Sequence, residues 1–251
     1  MLNIFKRTLF LLLAFPAITA LPQMQTPTNL GSVVNSSARD AEPTFTADGQ
    51  TMYFNCFDRE GEEGSDICVS HLEGEDWGEP SIVWEVSTRE HLEVEPLLSP
   101  DGQQLYIMSN RPGGKGGMDI WVSDYVDGKW SSPTNLDAPI NSAYADHCLY
   151  FSGDDWEIAY WTSTRPGGFG GNDIWTSERV GGVWQEAKNL GPKINTAASE
   201  HHSLPSPDGK SLYITTTRDD GFGGEDIFVT TRDADGNWSC LLYTSDAADD
   251  T

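Results

Sequence analysis

Eleven residues, RPGGKGGMDIW at 111–121, return as RPGGFGGNDIW at 165–175 and as RDDGFGGEDIF at 218–228. A reduced copy, REGEEGSDIC, lies at 59–68. Tandem repetition of this length restricts a chain to architectures in which one supersecondary unit stacks on the next. Four separate markers keep one step of 53 or 54 residues. They are the loop aspartates Asp66, Asp119, Asp173 and Asp226, and the tryptophans Trp77, Trp130, Trp184 and Trp238. The turn aspartates Asp48, Asp101, Asp154 and Asp208 follow the same step, as do the acidic residues Asp40, Glu93, Asp146 and Glu200.

Each unit reads as four strands. In the second, EPLLS, QQLYIMS, DIWVSDY and the stretch after VDGKW are rich in β-branched and aromatic residues and bounded by Gly, Pro, Asp and Asn. No segment keeps a helical apolar period, and a parallel β-helix would need much shorter coils. The expected fold is all-β: a β-propeller of four-stranded blades, with repeats at about 37–89, 90–142, 143–196 and 197–239. Four repeats are visible, and a ring of five or six blades is expected. PTNLGSVVNS (27–36) matches PTNLDAPINS (133–142) and is expected to supply the outer strand of a last blade. Up-and-down connectivity puts the Asp-Gly hairpins on one face, where glycine accepts positive φ. It puts the glycine loops and the crossings between blades on the other.

SPDGQQLYIMS, SPDGKSLYITT, RPGGFGGNDIW and NLGPKINTAASE resemble the WD-repeat-like β-propeller repeats of exported bacterial proteins of the TolB type. The resemblance covers nearly all of residues 27–239 and implies a propeller with a non-catalytic binding role in the periplasm or cell envelope. The third unit departs from the pattern, with YFSGDDWEIAYWTS in place of SPDGxxLY. The first lacks the paired glycines.

The two ends fall outside the repeats. Residues 1–20 read as a secretory signal: Lys6 and Arg7 precede the apolar run TLFLLLAF, and Ala20 offers the cleavage point. The run is too short to span a bilayer. The expected product is a periplasmic or secreted protein comprising residues 21–239, without stable membrane insertion and monomeric when complete. Residues 240–251, CLLYTSDAADDT, abandon the pattern and resemble the translation of a sequencing adapter, so a non-native tail is expected there. The formal charge of −24 repels nucleic acid and anionic lipid. Cys56 and Cys68 are candidates for a disulfide between neighbouring strands, with two buried free thiols as the alternative. No CxxC pair suggests a metal or redox site.

The glycine loop lacks both the spacing and the following helix of a phosphate loop, and has one residue too many for a calcium-binding nonapeptide. A structural role is expected, with the loop aspartates accepting backbone N–H groups. Arg111 and Arg165 open these loops and face Glu93, Asp146 and Glu200, as ion pairs or as ligand anchors. His147, His201 and His202, with Glu42 and Glu95, lie near the starts of inner strands, where they could line a channel or hold a cation. The expected binding face therefore groups Glu93, Glu95, Arg111, Asp146, His147, Arg165, Glu200 and His201. No cofactor or metal is assigned, calcium being left open, and no catalytic residue stands out: there is no nucleophile elbow and no marked Cys–His pair. The function expected is an exported non-catalytic scaffold that recognises an envelope protein or a glycan. The alternatives are a carbohydrate-active or calcium-dependent propeller hydrolase, or a propeller module of a larger envelope protein.

Overall fold

The computed structural model describes residues 28–246 except 60, 62 and 154. The leader expected at 1–20, Asp154 and residues 247–251 lie outside the described residues. The described chain is all-β, with four antiparallel sheets arranged as propeller blades. Blade 1 has its inner strand at Asp40–Phe45, its second at Thr51–Phe57 and its third at Ser65–Glu73. Blade 2 follows with Glu93–Leu98, Gln104–Ser109 and Asp119–Val126. Blade 3 has Asp146–Ser152, Ile158–Ser163 and Asp173–Val180, and blade 4 has Glu200–Pro205, Ser211–Thr216 and Asp226–Thr231. Successive inner strands pack on one another, and the first and fourth do not touch, so the described blades form an open arc.

The outer strand differs from the sequence expectation in blades 1 to 3. It is split into two short pieces, Lys129–Trp130 and Thr134–Asn135 in blade 2, both paired with the third strand. Pro133 lies in the break, where its missing N–H cannot serve a ladder. In blade 4 Leu242–Asp246, inside the stretch expected as a tail, pairs with the third strand instead.

Two devices hold the blades. Side chains from facing sheets fill the junctions: Tyr53, Leu98, Ile107 and Trp130 are buried between blades 1 and 2, and Tyr160, Ile174, Ile214 and Trp238 between blades 3 and 4. The glycine loops, in turn, press on the next crossing. A Cβ at Gly116 would lie 1.8 Å from the Tyr144 carbonyl oxygen, and one at Gly170 would lie 2.0 Å from that of Ala198. Only glycine lets the backbones approach this closely. Asp173 closes its loop by accepting the backbone N–H of Phe169 (2.9 Å) and of Gly170 (3.3 Å), and Asp226 does the same for Phe222 (2.8 Å).

On the other face the hairpins are pinned by short side chains. Asp101 accepts Ser99 Oγ at 2.6 Å and the Gln103 N–H at 3.0 Å; Asp48 and Asp208 repeat this with Thr46 and Ser206.

Candidate functional site

The site is built by a bulge that every inner strand carries. The antiparallel register slips between Ala41 and Thr44, Val94 and Leu97, His147 and Tyr150, and Glu200 and Ser203. A bulge re-aims the side chains of the residues it contains. In the first three blades it holds Glu42, Glu95 and Cys148 at φ of 56°, 54° and 52°, a left-handed conformation that residues other than glycine rarely adopt. All three side chains line two cavities along the blade axis. One, of about 320 Å³, opens at the glycine-loop face and is also walled by His147, His201, His202 and Glu225. The other, of about 240 Å³, lies deeper, with Pro43, Pro96, Leu149 and Leu204 in its wall.

Residues adjacent in the chain become a network here. The Cys148 N–H donates to Glu95 Oε2 at 2.5 Å, and its thiol lies 3.4 Å from Glu95 Oε1 and 3.1 Å from His147 Nδ1. His147 Nε2 meets Asn172 Oδ1 at 3.3 Å, and Asn172 Nδ2 meets His201 Nε2 at 3.0 Å. His201 Nδ1 reaches Glu225 Oε1 at 3.1 Å. Tyr150 OH contacts His202 Nδ1 at 3.2 Å. Ligand atoms of Glu95, His147 and Cys148 all lie within 4.8 Å of one another.

The electrostatics of the cluster are unbalanced. Burial, reinforced by the charge of Glu95, raises the Glu42 carboxyl above its ordinary value. Glu42 Oε2 has no hydrogen-bond partner. Burial also pushes the Cys148 thiol well up, again with Glu95 adding to the effect. His201 is lowered, chiefly by burial and then by His147 and His202, although Glu225 opposes this. Cys148, His147 and Asn172 have the geometry of a nucleophile, a base and an orienting amide. A thiol crowded by a carboxylate, however, resists forming the thiolate that attacks. A bound cation would offset the crowding of negative charge on Glu42 and Cys148.

Of the residues that the sequence groups on this face, five are committed to the frame. Arg111 pairs with Glu93 (3.0 Å) and Arg165 with Asp146 (2.6 Å), all largely buried. Glu200 is fully buried and accepts Thr196 Oγ1 at 2.6 Å and Thr216 Oγ1 at 3.1 Å. Glu95, His147 and His201 line the cavity. Sequence reasoning passed over Cys148, Asn172 and Glu225. Their signal was positional: Cys148 stands in the register of Glu42 and Glu95. Asn172 and Glu225 precede the loop aspartates Asp173 and Asp226, a position that varies from blade to blade.

No family model matches this chain, and no curated protein does. Solved structures do. A TolB-type protein from Agrobacterium tumefaciens is similar at 18% identity and a TM-score of 0.53, over 86% of this chain and 65% of that one. A puromycin-hydrolysing peptidase of Mycobacterium tuberculosis is similar at 14% identity and a TM-score of 0.50, over 86% of this chain and 31% of the peptidase. Prolyl oligopeptidase B of Galerina marginata, solved with a macrocyclisation substrate, is similar at 15% and 0.50, over 82% of this chain and 26% of the enzyme. The chain thus spans less than two thirds of each. The likeness is one of fold, and it corrects the functional expectation. The propeller resemblance from which a non-catalytic scaffold was inferred extends to hydrolytic enzymes, so it does not point to a protein without catalysis.

Proposed function

We propose that this chain is an exported propeller hydrolase of TolB-like repeat type, acting with a divalent cation at the channel mouth on ester carbonyls. The observation that supports it is the convergence of Glu95, His147 and Cys148 on one point, with their ligand atoms within 4.8 Å. A carboxylate, an imidazole and a thiolate suit zinc, whose catalytic sites keep a fourth position for water. Calcium prefers six or more oxygen ligands, and this donor set offers it too few. A zinc ion held here would polarise the carbonyl and acidify bound water. The chain's own groups then do the rest. Glu225 orients the His201 ring through Nδ1, burial disfavours the charged imidazole, and Nε2 accepts from Asn172 Nδ2, which ties His201 to His147. The apolar walls of the deeper cavity receive the acyl part of the substrate. Export rests on the leader read at residues 1–20.

Zinc titration by calorimetry, followed by an aryl-ester and glycan screen with and without the metal, tests this reading. Zinc binding and zinc-dependent ester turnover are expected, both lost when Glu95, His147 and His201 are changed together to Ala. Equivalent changes at Asp48, Asp101 and Asp208 should lower stability and spare zinc affinity. A protein that neither binds zinc nor turns over esters in its presence overturns the reading.

A further inference from the structure

The three blade junctions are not alike. Between blades 1 and 2 the Tyr53 and Trp130 rings meet edge to face at 5.8 Å, with Trp130 Nε1 donating to Tyr53 OH. Between blades 3 and 4 the Tyr160 and Trp238 rings also meet edge to face, at 6.4 Å, with the Tyr160 hydroxyl accepting from Arg232. The corresponding residues between blades 2 and 3 are Tyr106 and Trp184. There Tyr106 meets Phe151 (5.1 Å) and Trp156 (5.9 Å) instead. A cavity of about 270 Å³ opens at this junction on the hairpin face.

The divergent turn of the third repeat makes this cavity. In place of an Asp-Gly hairpin it carries SGDDWEI, and Trp156 stands at φ 53°. A bulky residue in that conformation is held against a local steric cost. Trp156 stacks on Phe151 at 4.4 Å and 20°, and Trp184 stacks with Phe151 at 5.7 Å and 22°. Both tryptophans keep part of their surface exposed at the cavity. Two polar groups stand at the rim. The exposed Asp155 carboxylate has no hydrogen-bond or ion-pair partner among the described residues. Arg179 spends only its Nε–H on the protein, at the Gly182 carbonyl (3.2 Å), and lies 5.6 Å over the Trp184 ring.

We propose that this cavity is a saccharide-binding site, taking one pyranose ring of a neutral oligosaccharide against Trp156, with Trp184 and Arg179 in the facing wall. Flat indole faces match the C–H face of a pyranose. Asp155 accepts from its hydroxyls, and the free guanidinium nitrogens of Arg179 donate to them. The alternative for an aromatic site is a quaternary ammonium, which needs rings on several sides. Here Trp156, Phe151 and Trp184 are nearly parallel, and Arg179 would repel a cation. The site is on the face opposite the channel cluster and does not depend on the hydrolase reading.

The test is titration of the full chain with soluble cello- and chito-oligosaccharides, followed by tryptophan fluorescence and calorimetry. At least one series should bind saturably. Trp156→Ala should weaken binding by about tenfold or more, equivalent to roughly 1.4 kcal/mol. If Trp156→Ala does not fold, the exposed pair Asp155→Asn and Arg179→Gln decides instead, with a several-fold loss expected for the double variant. Absence of binding by both series overturns the proposal, as does unchanged affinity in the folded variants or displacement by tetramethylammonium. Glu95→Gln should leave saccharide affinity unchanged, so a failed hydrolase assay with intact saccharide binding counts against the channel reading alone.

Discussion

In blade 3, Ser163 on the second strand and Trp175 on the third occupy the two positions that blade 1 gives to Cys56 and Cys68. Ser163 Oγ receives the Arg165 backbone N–H (3.2 Å) and Nε–H (2.9 Å), which aims the guanidinium at Asp146 under the Trp175 ring. Blade 1 has neither the hydroxyl nor the indole. It keeps the Arg59–Asp40 pair at 3.0 Å and ties the two strands by the Cys56–Cys68 disulfide. Its loop lacks the glycine equivalent to Gly170, with Glu63 in that position, and the crossing that follows, VSTREHLE, is one residue longer than INSAYAD. The comparison teaches that register is the invariant, and that several chemistries can hold it.

Breaking the buried ion pair should give the largest difference between the two blades. Asp146→Ala leaves the Arg165 charge buried without its partner, at a cost of about 3–5 kcal/mol in urea unfolding. Asp40→Ala should cost less, since the covalent bridge still fixes the strands around Arg59. Equal losses would show that the disulfide does not share the load.

Removing the bridge tests the other side. The double variant Cys56→Ser, Cys68→Ala should lose about 2–4 kcal/mol. Reductant should bring the wild-type protein close to that level and leave the variant unmoved. Gly170→Ala drives a methyl group into the Ala198 carbonyl and should cost about 1–3 kcal/mol, because the crossing must shift. Glu63→Ala, at the equivalent position of blade 1, should stay within about 0.5 kcal/mol in the same melting assay.

The smallest effect lies in acid. Thr46, Ser99 and Ser206 donate to Asp48, Asp101 and Asp208 and hold these carboxyls below their ordinary value of 3.8. A carboxyl lowered on folding stabilises the protein above its unfolded value, and the benefit fades as pH falls through the folded one. Blades 1, 2 and 4 should therefore loosen slightly below pH 3.8, measured as faster amide exchange in their hairpins. The blade 3 turn, which lacks this hydroxyl–Asp–Gly arrangement, should show less change.

Much of the frame was legible because a repeat reports its own register. The loop aspartates, the hairpin aspartates and the acidic strand starts could be aligned from the chain alone, and each marks a local interaction within a few residues. The candidate site was legible only in part. Glu95, His147 and His201 stood out as polar residues near strand starts. Cys148, Asn172 and Glu225 carried no local signal, because their meaning depends on neighbours a whole blade away. The expectation that binding belongs to the glycine-loop face took no account of Trp156 on the opposite one, although its repeat was visibly aberrant.

The sequence by itself determined the all-β blade, its three inner strands and the sorting of loops between two faces. These follow from residue period, turn chemistry and connectivity, which are local. Tertiary structure alone decided which acidic residues are spent on buried arginines, that the bulge turns Glu42, Glu95 and Cys148 toward one axis, and that the junction between blades 2 and 3 opens into an aromatic cavity. Each of those depends on the angle at which one twisted sheet meets the next, and that angle is set by packing between side chains some 50 residues apart, a distance that no local pattern encodes.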